Sequence, residues 1–168
     1  MVTVFFFCKR LPAVLICDNG DGGMPADRCT CLSVLSGHHT SFVYRAVFSY
    51  DMMYIVTASR DRSICVWLAN DSSSSSRMRT YGFVQSHTNH ADWVTALACS
   101  PDSHEVVSGS WDYNLCLVDL PSGNVTKRFL GHGNAVTDVS FSPVPVSLSL
   151  SLSLSLSLSF RATFSYSV

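Results

Sequence analysis

Charge is scarce in this chain. Asp, Glu, Lys and Arg together make up 14% of its 168 residues, with 11 basic residues against 12 acidic ones and a net charge of −1. A balance that close gives no overall field drawing the chain toward nucleic acid or an anionic membrane. The sequence also lacks a Cys-x-x-Cys pair, zinc-ligand spacing, a Gly-rich phosphate loop and an isolated pair of carboxylates. Without them there is no sequence signal for a metal, a cofactor, a bound nucleotide or a small-molecule substrate worked on by acid–base catalysis. The seven cysteines are odd in number, and Cys29 and Cys31 alone are a weak metal signal. Cys65, Cys99 and Cys116 fall in strand-like runs, where a thiol acts as a small apolar filler, as expected of reduced cysteines inside a cell. A long hydrophobic run is missing as well. The apolar start, residues 2–17, is cut by Lys9, Arg10 and Pro12 into pieces too short for a signal sequence or a membrane span. No segment carries a helical period.

What the sequence does contain is internal repetition. Val43-Tyr44-Arg45-Ala46-Val47-Phe48-Ser49, Val94-Thr95-Ala96-Leu97-Ala98-Cys99-Ser100 and Val136-Thr137-Asp138-Val139-Ser140-Phe141-Ser142 align with one another. Each follows a histidine, which on this reading is His38, His90 or His132. Downstream, Ile55-Val56-Thr57-Ala58-Ser59-Arg60-Asp61 matches Val106-Val107-Ser108-Gly109-Ser110-Trp111-Asp112, and Ile64-Cys65-Val66-Trp67 matches Leu115-Cys116-Leu117-Val118. The runs are short, β-branched or aromatic, and bounded by turns such as Ser100-Pro101-Asp102. That is the grammar of hairpins, so the fold class expected is all-β. The step from His90 to His132 is the length of one four-stranded propeller blade.

Two segments stand apart. From Ser147 to Ser159 the chain is strict Ser-Leu alternation, which a translated TC dinucleotide tract would encode, so residues 144–168 are expected to be a non-native, low-complexity tail. The run Ser72–Ser76 lengthens the first repeat and reads as a flexible loop near a small basic patch of Arg60, Arg62, Arg77 and Arg79. The organisation expected is therefore an unstructured or artefactual extension over 1–30, a first repeat over 31–85 and a second over 86–130. A third begins at 131–143, followed by the tail over 144–168.

The repeated polar residues have a structural use. A histidine before the first strand, a Ser or Thr in the second, an Asp in the next turn and a Trp in the third strand can bond in series. The candidates are His38, Thr57 or Ser59, Asp61 and Trp67 in the first repeat. In the second they are His90, Ser108 or Ser110, and Asp112, with Val118 in the place of the Trp. His132 opens the third. A catalytic triad is needed once, whereas this set recurs, so no enzyme is expected. Losing the indole donor at Val118 predicts a looser second blade. Two blades alone should also leave apolar faces uncovered, which predicts poor solubility.

These residues resemble the WD-repeat family of the receptor for activated C kinase. The resemblance rests on Thr57-Ala58-Ser59-Arg60-Asp61-Arg62-Ser63-Ile64 with Trp67, on Tyr81-Gly82 and Asp92-Trp93-Val94, and on Val107-Ser108-Gly109-Ser110-Trp111-Asp112. It continues through Thr126-Lys127-Arg128-Phe129-Leu130-Gly131-His132. Asn89, where the pattern has Gly, and Val118 depart from it. It implies a partial β-propeller of two blades and the opening strand of a third. It also implies a non-catalytic, cytoplasmic scaffold on the small ribosomal subunit, touching ribosomal RNA and ribosomal proteins and docking protein kinase C and other signalling proteins. In that family the basic pair of the first blade meets ribosomal RNA, and the matching residues are Arg60 and Arg62. Two alternatives stay open: another WD adaptor, such as a G-protein β-like or substrate-receptor subunit, or a truncated gene product with no function of its own.

Overall fold

In the computed structural model, residues 3–7, 12–18, 30–70 and 80–141 are described. Cys29, the run Ser72–Ser76, Arg77, Arg79 and the tail 144–168 lie outside them. Every helix or strand among the described residues is a strand. Strands β1 (Thr3–Phe7), β2 (Val14–Asp18) and β3 (Thr30–Leu35) form one antiparallel sheet. Next comes a four-stranded meander of β4 (Val43–Phe48), β5 (Tyr54–Ser59), β6 (Ile64–Asn70) and β7 (Thr80–His87). A second meander follows, made of β8 (Val94–Cys99), β9 (Glu105–Ser110), β10 (Leu115–Asp119) and β11 (Val125–Phe129). Each meander has the four-stranded antiparallel form of a propeller blade, the first being blade one and the second blade two.

The two meanders repeat one another down to their irregularities. The β4/β5 ladder shifts register between Val43 and Arg45, and the β8/β9 ladder does so between Val94 and Ala96. The β6/β7 and β10/β11 ladders shift at Val66/Trp67 and Leu117/Val118. Left-handed turn positions recur too: Met52 and Ser103 (φ 59° and 62°) between first and second strands, Arg62 and Tyr113 (φ 72° and 69°) between second and third. Ser49 with Asp51, and Ser100 with Asp102, hold the first of these turns through hydroxyl–carboxylate bonds.

Alternation sends successive side chains to opposite faces, and in β5 and β9 both faces are buried. Val56, Ala58, Ile64 and Val66 of blade one meet Val94, Leu97, Val106, Val118 and Leu120 of blade two in the layer between the blades. Each Val, Leu or Ile among them contributes about 1.5–3 kcal/mol when fully buried. The opposite face of blade one, built on Ile55, Cys65 and Trp67, is covered by Val14, Ile16 and Leu35 of the N-terminal sheet. The far face of blade two, with Ala96, Val107, Leu115 and Leu117, is covered by Val136 and Val139.

Those two covers correct the sequence reading. The sequence reads residues 1–30 as an unstructured or artefactual extension, yet β1 pairs with β2, and β2 with β3, over five residues each. The physical reason is the apolar face of blade one: Val14 and Ile16 are 1% and 2% exposed because they bury it. The expectation of open blade faces fails for the same reason. Of residues 136–142, expected as the opening strand of a third repeat, 136–141 are described and belong to no sheet among the described residues. They still hold to blade two: the Val136 amide donates to the Ser110 carbonyl, and the Thr95 hydroxyl donates to the Val136 carbonyl (3.0 and 2.7 Å). Gly109 allows this approach, since a Cβ there would stand 2.6 Å from Val136 Cγ1.

Candidate interaction site on the blade turns

The turn between second and third strands is built by its own polar side chains. In blade one the Ser59 hydroxyl donates to the Ser41 carbonyl and accepts the Asp61 amide, both at 3.2 Å. Asp61 turns inward. One of its oxygens takes the Thr40 amide at 2.8 Å and stands 3.1 Å from His39 Nδ1, while the other accepts the Ser63 amide at 2.9 Å. His39 Nε2 is 2.8 Å from the Thr57 hydroxyl, which also accepts the Trp67 indole N–H at 3.0 Å.

Blade two repeats the arrangement. His90 Nδ1 is 3.0 Å from Asp112, His90 Nε2 is 2.8 Å from the Ser108 hydroxyl, and Asp112 accepts the Ala91 and Asn114 amides. Ser110 plays the part of Ser59, donating to the Asp92 carbonyl at 3.0 Å. Of the paired alternatives in the sequence, Thr57 and Ser108 face the histidines, whereas Ser59 and Ser110 brace the turns.

The histidine of blade one is a correction. His39, 5% exposed, occupies the position assigned to His38. His38 is exposed and stacks on Phe83, with ring centroids 3.5 Å apart, and meets the edge of Trp67. Neighbouring side chains of an extended segment point opposite ways, so a slip of one residue moves the ring from core to surface. The sequence did hold the signal. Thr57, Asp61 and Cys65 recur 51 positions later as Ser108, Asp112 and Cys116, and the residue 51 before His90 is His39. His132 lies half-buried on the connection after β11.

The two histidines differ in charge. Burial lowers the basicity of both. In His39 the bond to Asp61, helped by Cys65, outweighs burial and raises the pKa to about 9. Asp61, in spite of its own burial, is held well below the usual carboxylate range by His39 and Ser63. In His90 burial prevails over Asp112, and Arg128 adds repulsion, so its pKa falls below the ordinary value. With both ring nitrogens protonated, His39 donates to Asp61 and Thr57, leaving the Thr57 proton to the Cys65 carbonyl. Neutral His90 instead accepts the Ser108 proton at Nε2. Val118 therefore removes an indole donor without orphaning the Ser108 hydroxyl, contrary to the reason for expecting a looser blade.

Because Asp61 faces inward, its neighbours face out. Arg60 and Arg62 are both exposed, and no carboxylate pairs with either among the described residues. The Arg60 guanidinium lies 4.2 Å over the Trp93 ring, a cation–π contact that holds its planar fork at the surface. Trp93, Trp111 and the Arg60 contact were not recognised in the sequence as parts of a site, since two strands, β6 and β7, separate Arg60 from Trp93. Among the described residues no group of three or more His, Cys, Asp or Glu is placed to hold a metal, and no helix is long and apolar enough to cross a membrane.

Comparison with known proteins agrees with the repeat geometry. The family described as WD domain, G-beta repeat matches residues 29–67 and 82–119. Cross-pathway control WD-repeat protein 2 of Flammulina velutipes is 37% identical over 108 residues, covering 63% of this chain and 32% of that protein. The small ribosomal subunit protein RACK1 of Drosophila melanogaster is 36% identical over 95 residues, 55% of this chain and 28% of that protein. Its Schizosaccharomyces pombe counterpart is 40% identical over 78 residues, 45% of this chain and 23% of that protein. The chain thus spans less than a third of the length of each of these relatives.

Proposed function

We propose that this chain, which carries two WD repeats and resembles the RACK1 proteins, works as a non-catalytic scaffold that attaches to the small ribosomal subunit through Arg60 and Arg62. The observation that carries the reading is the division of labour in the β5–β6 turn: Asp61 is consumed internally by His39, Thr40 and Ser63, while two exposed guanidiniums pair with no carboxylate among the described residues. Arginine keeps its charge at all physiological pH values and meets phosphate oxygens as a bidentate donor. Two relatives bear the name of a small ribosomal subunit protein, and the RNA phosphates of that particle supply the matching charge. Docking of kinases such as protein kinase C, on other surfaces of a complete propeller in the cytoplasm, completes the proposal.

The test is co-sedimentation with small ribosomal subunits. Two phosphate contacts give a slope of log affinity on log salt of roughly −1.4 to −1.8, about a ten-fold loss between 50 and 200 mM salt. The double change Arg60→Asp/Arg62→Glu should abolish pelleting at low salt. Pelleting unaffected by that change would refute ribosome attachment through this turn and favour another WD adaptor.

A further inference from the structure

The turns of the two blades are equivalent by the repeat, but their outward residues differ in kind. Arg60 corresponds to Trp111, Arg62 to Tyr113, and Phe42 to Trp93, each pair 51 residues apart. Backbone geometry is shared: the Arg60 amide donates to the Phe42 carbonyl at 2.8 Å and the Trp111 amide to the Trp93 carbonyl at 2.9 Å, while Arg62 and Tyr113 both take positive φ. Blade one therefore presents cations where blade two presents aromatic rings.

The two sets are joined. Arg60 lies on Trp93, Trp93 and Trp111 have ring centroids 4.7 Å apart with an interplanar angle of 37°, and Tyr44 flanks Trp93 at 6.2 Å. The outer rings are open, Trp111 at 44% and Tyr113 at 48% exposure. Nearby acids are engaged at least in part: Asp112 with His90 and the Ala91 amide, Asp92 with the Trp93 amide. A row of guanidiniums continuing into exposed indole and phenol rings is the arrangement that grips a phosphate and stacks the adjoining base, which every nucleobase permits through its π-face.

We infer that Trp111, with Tyr113 beside it, is a stacking platform for an unpaired base of single-stranded RNA whose phosphates lie on Arg60 and Arg62. The inference rests on the RNA-contact reading above and adds what that reading leaves open, that the RNA is met at an unstacked nucleotide and not as a duplex backbone. Phosphate contacts alone would bind duplex, single strand and abasic strand alike, whereas a platform requires a free base.

The full chain is titrated, with tryptophan fluorescence as the signal, against oligouridylate, an abasic strand with the same number of phosphates, an RNA duplex and a polyglutamate peptide of matched charge. Oligouridylate should bind at least about five-fold tighter than the abasic strand, the effect of one stacked base, and should quench the indole emission. Trp111→Ala should bring oligouridylate down to the abasic affinity, and Trp111→Phe should keep most of the difference. Equal affinity for oligouridylate, abasic strand and duplex, all lost with Arg60→Asp/Arg62→Glu, overturns the platform but leaves the phosphate contact standing. Binding to none of the nucleic acids overturns both. Polyglutamate binding as tightly as oligouridylate also overturns the platform, because it would show a site for anions of any kind.

Discussion

Asp61 and Asp112 hold equivalent places, yet their removal should cost different amounts, with different dependence on pH. His39 is raised from 6.5 to about 9 within its pair with Asp61. A histidine whose folded pKa exceeds its unfolded one stabilises the fold fully below the unfolded value and loses that contribution as pH rises through the folded one. For His39 this amounts to roughly 3 kcal/mol at pH 6, roughly 2.5 at pH 7 and close to nothing at pH 10. Asp61→Ala forfeits it together with the acceptors of the Thr40 and Ser63 amides. His90 is depressed, hence neutral at pH 7, so Asp112→Ala forfeits only hydrogen bonds, about 1–2 kcal/mol. Urea unfolding followed by tryptophan fluorescence under reducing conditions, at pH 6, 7, 8 and 10, measures both penalties. The Asp61→Ala penalty should exceed that of Asp112→Ala at pH 7, and the gap should close by pH 10. Equal penalties at every pH, or an Asp61→Ala penalty unchanged between pH 7 and 10, would refute the charge difference between the histidines.

Two further perturbations probe the covers on the blades. Gly109→Ala should destabilise by about 1–3 kcal/mol, because its methyl would collide with Val136 Cγ1. Combining it with Val136→Ala should recover part of that loss, and additive penalties in the double-mutant cycle would argue against the contact. Ile16→Asp places an unpaired carboxylate in the layer that hides Cys65. Labelling by a thiol reagent, read by mass spectrometry, should then reach Cys65 while Cys99, whose thiol burial pushes up to about 12, stays protected. Cys65 labelled as slowly as in the wild type would mean that the N-terminal sheet is not what shields it.

The chain order of residues was enough to reveal the all-β meanders, because alternation and turn residues act over a few positions and each blade repeats them. It was also enough to pick out Asp61, Trp67, Asp112 and His90 as a polar set, with Thr57 or Ser59 and Ser108 or Ser110, since their spacing recurs, but not to choose within either pair. Local pattern did not decide which of the adjacent His38 and His39 enters the core. His38 directly follows Gly37, as His132 follows Gly131, whereas the 51-residue register with His90 points to His39, and the side chain that reaches Thr57 and Asp61 is that of His39. The role of β1 and β2 was equally hidden, because their apolar run gains meaning only against the face of Ile55, Cys65 and Trp67. The turn surface needed the tertiary structure most. Arg60 and Trp93 are 33 residues apart in the chain, and packing of β4 and β5 on β8 brings guanidinium and indole to 4.2 Å. Sequence by itself determined the repeats and the chemistry of each turn. The stacking of one blade on the next decided that the cations of the first adjoin the rings of the second, because contact between separate strands is set by buried apolar layers and not by neighbours along the chain.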